Sequence, residues 1–262
     1  MPSLRLRIPA LTAVLVTVTV AGGLTGSGPA EALAASRGGG GSYRVVGFGD
    51  SVPSGSNCGC TNYVTLATRA LARRYGEVAV LHNLARGSQT TAGVLAQLRD
   101  PVVRTEVADS DLVVITVGAN DFPAGKLMSS ACRPAPATSC YRAILAAQRI
   151  RLDAILAQVR SLQARHGGSV VVTGYWNVFL DGVVARRLGS GYVRASTSLT
   201  VADNAMIASV ARARSARYVD LYRAFRGNGS VDDTRLLASD GDHPNAAGHR
   251  VIAAAVVAAV PN

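Results

Sequence analysis

Lysine is almost missing from this chain: Lys126 stands alone among 27 basic side chains, and the others are arginine. Set against 16 acidic residues, they give a formal net charge of +11. Arginine pairs bidentately with phosphate and carboxylate, so selection for anionic partners is one reading of this bias. Codon bias in a GC-rich genome, matched by abundant alanine and glycine, is the other and the favoured one, because net charge specifies function weakly. The arginines are scattered, with neither a cluster nor interleaved aromatics, so a nucleic-acid-binding surface is not expected. Aromatics are also scarce, at 5%, yet apolar residues reach 48%, too many for a disordered chain.

A long apolar run is missing as well. Arg5 and Arg7 precede an apolar stretch from Ile8 to Leu24. Gly22, Gly23 and the segment Gly26 to Pro29 leave it short for a membrane span of ~20 residues. Together with the small-x-small site Ala32-Leu33-Ala34, this reads as an export signal over residues 1–34, so the mature protein is expected outside the cell. No cysteine follows that site, which disfavours a lipoprotein. Residues 35–42 are Gly-rich and expected to be a flexible tether. Residues 43–262 remain for one domain with a sizeable core.

Cysteine is sparse: Cys58, Cys60, Cys132 and Cys140. Export places them in an oxidising compartment, where three pairings are open. A local Cys132–Cys140 bridge across Pro134 and Pro136 is favoured. It leaves Cys58 and Cys60 to close a tight ring. Crossed bridges between the loops after Ser51 and Asn120 are the alternative. The C-x-C and C-x7-C spacings do not match zinc pairs, so no metal is expected.

What is present alternates between strand and helix. Short apolar runs at Arg44 to Phe48, Val78 to Leu84, Leu112 to Val117, Ser169 to Gly174 and Ala216 to Leu221 read as five strands. Helical spacing covers Asn62 to Tyr75, Thr91 to Leu98, Arg142 to Arg165, Val201 to Arg214 and Asn245 to Val260. There is no internal repeat. Such alternation implies an α/β fold, a mostly parallel five-stranded sheet between two helical layers, with its site beyond the carboxyl ends of the strands.

The polar motifs fall at those ends. Gly49-Asp50-Ser51 follows the first strand, Asn83 to Gly87 the second and Gly118-Ala119-Asn120-Asp121 the third. Asp240-Gly241-Asp242-His243-Pro244 precedes the last helix. A serine at a tight strand-to-helix turn is exposed as a nucleophile. His243 can take its proton, and Asp240, three residues earlier, can hold the far imidazole nitrogen. The Ser51 amide, a glycine amide and the Asn120 side chain can serve as donors to an oxyanion.

Gly-Asp-Ser, Gly-x-Asn-Asp and Asp-x-x-His, in that order along nearly the whole chain, resemble the SGNH hydrolases, the GDSL-like lipases and esterases, here of a secreted actinobacterial type. The resemblance implies a flavodoxin-like three-layer α/β/α sandwich, no metal or other cofactor, and ester hydrolysis through an acyl-enzyme. It assigns Ser51 as nucleophile, His243 as base and Asp240 as its orienter, with Gly87, Asn120 and the Ser51 amide forming the oxyanion hole. The glycine register around Gly87 is displaced by one position, which leaves the Ser88 amide as an alternative donor. A Gly-x-Ser-x-Gly nucleophile turn of the α/β-hydrolase kind is not matched, because Pro53 occupies its second glycine.

Asp50 and Asp121 read as loop braces rather than chemical groups. Asp242 is adjacent to His243 and expected to point away from it, while His249, His82 and His166 read as structural or surface histidines. Tyr175 and Trp176 are divided evenly between substrate pocket and core packing. The run Asp181 to Tyr192, with Arg186 and Arg187, is expected as a lid or rim. The expected partner is an ester: a small ester, a lipid or an acylated carbohydrate. Phospholipase, deacetylase and acyl-transfer chemistry would use the same residues, and transient contact with a membrane surface stays open. A non-catalytic envelope-binding module is the non-enzyme reading, and a monomer is expected.

Overall fold

Alternate residues of the central strands pack into two different cores, which is how a sheet covered on both faces is recognised. In the computed structural model, which describes residues 40–123 and 138–262, Val46, Phe48, Val113, Ile115, Val170 and Val172 belong to one core. Tyr43, Val45, Leu112, Val114 and Val171 belong to the other. The sheet comprises β1 (Ser42–Gly49), β2 (Val78–Asn83), β3 (Leu112–Thr116), β4 (Ser169–Thr173) and β5 (Arg217–Val219) in the order β2-β1-β3-β4-β5. Every pairing is parallel. This is the three-layer α/β arrangement expected from the alternating pattern.

The helices divide between the faces. On the first lie α3 (Thr91–Gln97), α4 (Pro101–Ala108), α5 (Thr138–Gln163) and the long α7 (Ser190–Ala213), contributing Val94, Val107, Ile155 and Leu199. On the second lie α2 (Tyr63–Tyr75), α8 (Leu221–Arg226) and α9 (Ala246–Ala259), contributing Val64, Leu71, Phe225 and Ile252. Two short elements belong to the site: α1 (Ser51–Ser54) and α6 (Gly182–Arg187).

The sequence layout differs from the structure in several places, and it omits the short helices α1, α6 and α8. α4 is missing from it, although Asp100 followed by Pro101 is a helix-start signal: the Asp100 carboxylate caps the Val102 amide at 2.8 Å. α7 begins at Ser190, eleven residues before the predicted start. Polar Ser196 and Thr200 interrupt its apolar pattern, yet both are buried and hydrogen-bonded to the loop around Asn177. Ser42, assigned to the tether, instead pairs with Val78 in the sheet. The expected export signal over residues 1–34, residues 35–39 of the expected tether, Lys126 and Cys132 lie outside the described residues. Among the described residues, no helix is long and apolar enough to cross a membrane.

Candidate active site

β1 and β3 end against each other, and this juncture forms the Ser51 turn. Gly49 takes φ 135°, and a Cβ there would lie 1.8 Å from the Thr116 carbonyl oxygen, so only glycine lets the two strand ends approach. The Asp50 amide then donates to that same carbonyl at 3.0 Å. Asp50 caps α1, its Oδ1 accepting from the Val52 amide at 3.0 Å, and Ser51 becomes the first helical residue. Among the described residues the Ser51 amide has no acceptor, as befits the free N–H groups of a helix start.

The other oxygen of Asp50 receives the Tyr175 hydroxyl at 2.5 Å, and that hydroxyl accepts from the Ala119 amide at 3.2 Å. One phenol thus ties the serine turn to the loop carrying Asn120. Asp50 is buried, and burial raises its carboxyl to about 6 against the lowering effect of the Tyr175 hydroxyl and the Val52 amide. It is a brace, as the sequence suggests. Asp121 is another, accepting from the Thr91 amide at 2.9 Å and hydroxyl at 2.7 Å.

Gly118 opens the Asn120 turn at φ 143°, over buried Gln148, whose Nε2 would lie 2.2 Å from an added Cβ. Gln148 donates to Asp203, and burial raises that carboxyl to about 8. Asn120 itself donates to the Gln89 carbonyl at 3.1 Å. Gly87 lies nearby, within 3.6 Å of the Ser56 hydroxyl when given a Cβ, and its amide, like that of Ser88, has no acceptor among the described residues. Ser88 takes φ 61°, which turns the backbone at the position where the usual glycine is displaced.

The acid–histidine segment is held differently. Asp240 Oδ1 accepts the Asp242 and His243 amides, each at 3.0 Å, while Oδ2 faces His243 Nδ1 at 2.8 Å. A ring nitrogen facing a carboxylate carries the proton, which leaves the Nε2 lone pair free to accept one. Asp242 lies 3.9 Å from the same nitrogen, too far to replace Asp240. Partial burial would raise the Asp240 carboxyl, but the two amides, the imidazole and the Asn57 side chain outweigh it and hold the group down at about 2. Among the described residues no hydrogen bond joins the Ser51 hydroxyl to His243. Such bonds are commonly long in free enzymes and close with substrate present.

Ser51 and Asn120 open into a cavity of about 370 Å³ whose apolar side is Phe122, Val178, Phe179, Leu180 and Tyr192. Tyr175 and Trp176 also reach it, but their rings are committed elsewhere: Tyr175 to Asp50, and Trp176 stacked on Phe225 at 4.6 Å between centroids. Each therefore borders the cavity while its ring is packed into the core. Of the run from Asp181, expected as a lid or rim, Tyr192 lines this cavity. Asp181 is buried against Arg226 at 3.0 Å and donates its amide to the Gly241 carbonyl at 2.7 Å, which anchors α6 to the histidine loop. Asn57 and the apolar lining carry no local motif, so sequence inspection passes over them.

Cys58 and Cys60 meet as a bridged pair with Cα atoms 5.0 Å apart, the tight ring of the favoured pairing, and Cys140 is also bonded. These two and His249 are the one metal-like grouping among the described residues. The donors do not suit a metal: His249 Nδ1 accepts from the Tyr63 amide at 3.2 Å, which puts the ring proton on Nε2, and the sulfurs are joined. His249 is buried, and that burial lowers it to about 4. His82 and His166 make exposed contacts to Glu106 and Asp111, as surface histidines do.

A five-stranded parallel sheet with a serine, an asparagine and an Asp–His pair at its carboxyl edge defines a serine hydrolase of the three-layer α/β kind. The sequence matches the family described as GDSL-like lipase/acylhydrolase over residues 48–251, and the chain belongs to that family of carboxylic-ester hydrolases. Among solved structures, a lipase from a goat rumen metagenome aligns with TM-score 0.66 at 18% identity, covering 83% of this chain and 97% of that one. Phospholipase A1 from Streptomyces albidoflavus aligns with TM-score 0.59 at 24% identity, covering 84% and 99%. An extracellular lipase from Streptomyces rimosus aligns with TM-score 0.55 at 22% identity, covering 84% and 100%. At these identities the likeness establishes the fold. No curated protein matches the chain.

Proposed function

We propose that this protein is a secreted esterase that cleaves carboxylic esters of short to medium acyl chains through an acyl-enzyme on Ser51. The observation that carries the reading is the pairing of Asp240 with His243 Nδ1 at 2.8 Å, which presents Nε2 as a base. The Ser51 oxygen attacks the ester carbonyl carbon as its proton passes to His243 Nε2. The tetrahedral oxyanion is met by the Ser51 amide, the Asn120 side chain and the amide of Gly87 or its neighbour Ser88. Its collapse breaks the bond to the alcohol, which leaves with the proton from His243. Water, deprotonated by His243, then releases the acid and restores Ser51. Asp240, held ionised by its four donors, stabilises the imidazolium at both stages.

The apolar lining formed by Phe122, Val178, Phe179 and Leu180 suits a hydrocarbon acyl group better than a sugar, and 370 Å³ lies near the lower end of ligand cavities. Residues 1–34 supply export, and the oxidising exterior keeps Cys58 and Cys60 joined. The test is hydrolysis of p-nitrophenyl esters from acetate to palmitate by the mature protein, its Ser51→Ala variant and its His243→Ala variant. The expected result is turnover that peaks at butyrate to octanoate and falls by about 10³-fold or more in either variant. A peak at palmitate would move the reading to a lipase. Equal turnover in Ser51→Ala would remove the nucleophile.

A further inference from the structure

The loop between α1 and α2 carries Asn57 at φ 57°, a left-handed conformation that asparagine tolerates better than most residues. Its two ends are fixed. The Gly55 and Ser56 amides donate to the Ser51 carbonyl at 3.1 and 2.9 Å, and Asn62 caps α2 by accepting the Thr65 amide at 2.9 Å. Between them the Cys58–Cys60 ring shortens the loop directly after Asn57. The outcome is a contact spanning 183 residues of sequence: Asn57 Nδ2 lies 2.8 Å from Asp240 Oδ2, the same oxygen that faces His243 Nδ1.

Hydrogen-bond chemistry orients that amide. Turned the other way, Asn57 would set its carbonyl oxygen against a carboxylate. With Nδ2 forward, it donates to Asp240. Its 3.3 Å approach to His243 Nδ1 joins two donors and is a neighbour contact rather than a bond. Asp240 therefore has both oxygens engaged, Oδ1 by its own loop and Oδ2 by the imidazole and by the serine's loop. Without Asn57, nothing outside residues 240–243 would hold the carboxylate among the described residues.

We propose that Asn57 is a positioning residue of the acid–histidine pair, a brace through which the Ser51 loop fixes Asp240 and thereby the His243 ring. This rests on the esterase reading above. Asn57 does not itself line the cavity, so it acts on the step in which His243 moves protons and leaves substrate binding alone. Its donation also draws charge from the oxygen that stabilises the imidazolium. Removing it makes that carboxylate a stronger partner for the charged ring, so the acid limb of the rate profile moves to higher pH. The other ionisable groups facing His243 are Asp242 at 3.9 Å, buried Asp50 and buried His249, and all three are unchanged by a substitution at position 57.

Asn57→Gly is the sharpest variant, because glycine accepts the left-handed backbone and loses only the carboxamide. The parent and Asn57→Gly are compared on p-nitrophenyl butyrate across pH, with Asn57→Ala as a second variant and thermal unfolding as the check on folding. In Asn57→Gly, kcat falls about three- to tenfold with KM unchanged, the acid limb of kcat/KM rises by several tenths of a pH unit, and the unfolding midpoint holds, consistent with the loss of one exposed charge-assisted hydrogen bond. Asn57→Ala shows the same change in pH profile with a lower midpoint. A kcat within twofold of the parent and an unmoved acid limb in Asn57→Gly would overturn the proposal. That outcome, with His243→Ala inactive, would leave the esterase reading standing; an active His243→Ala would remove that reading instead.

Discussion

Asp50 and Asp240 each accept hydrogen bonds within a few residues of a proposed catalytic group, yet their environments drive them in opposite directions. Asp50 is buried beneath the serine turn, with one amide and one phenol as partners, and burial raises it to about 6. Asp240 is partly exposed in the histidine loop with four donors, and they hold it at about 2. The serine turn is set by sterics at Gly49 and locked by a carboxyl that is easily neutralised. The histidine loop is set by charge. The first region is expected to break when its shape is changed, and the second when its charge is changed.

The largest expected effect is on the charge-set side. Asp240→Asn should lower kcat by about 10²- to 10⁴-fold, because the ring loses its tautomer and its counter-charge, with little change in the unfolding midpoint. Steady-state kinetics with circular dichroism melts separate the two. Asn120→Ala should lower kcat by about 10²- to 10³-fold by removing one proposed oxyanion donor, measured on the same ester. On the shape-set side, Tyr175→Phe leaves the Asp50 oxygen and the Ala119 amide without their partner. It should destabilise the fold by about 1–3 kcal/mol in urea titration and lower kcat roughly tenfold.

The smallest effect is the pH dependence of stability, where the two aspartates predict opposite slopes. Asp240 is lowered by folding, so its contribution is present above its unfolded value near 4 and lost as pH falls towards about 2. Solvent screening limits it to about 1 kcal/mol. Asp50 is raised by folding, so its contribution is full below about 4 and lost as pH rises through about 6. Asp50→Asn should flatten that loss between pH 4 and 7 in urea titrations, and an unaltered slope would place the titration elsewhere.

The sheet and the ends of its strands were legible because apolar runs in parallel strands are nearly continuous, as in Leu112 to Thr116, and because Gly49 and Gly118 mark close approaches. Ser51, Asn120, Asp240 and His243 were legible because each sits in a local motif. The start of α7 was hidden because Ser196 and Thr200 are polar residues placed inward, satisfied by a loop that the sequence does not show to be adjacent. The cavity wall was hidden for a related reason. Phe122, Phe179 and Tyr192 come from three separate segments, and only the fold brings them together. Asn57 meets Asp240 across 183 residues, which no spacing rule reaches.

The central claim is that Ser51 is the acylated atom. The most direct measurement is treatment of the folded protein with a serine-directed phosphonate, followed by intact mass and peptide mapping. A single adduct on the peptide containing Ser51, absent from Ser51→Ala and slowed in His243→Ala, is the predicted result. An adduct on another residue, or none while the parent still hydrolyses esters, would contradict it.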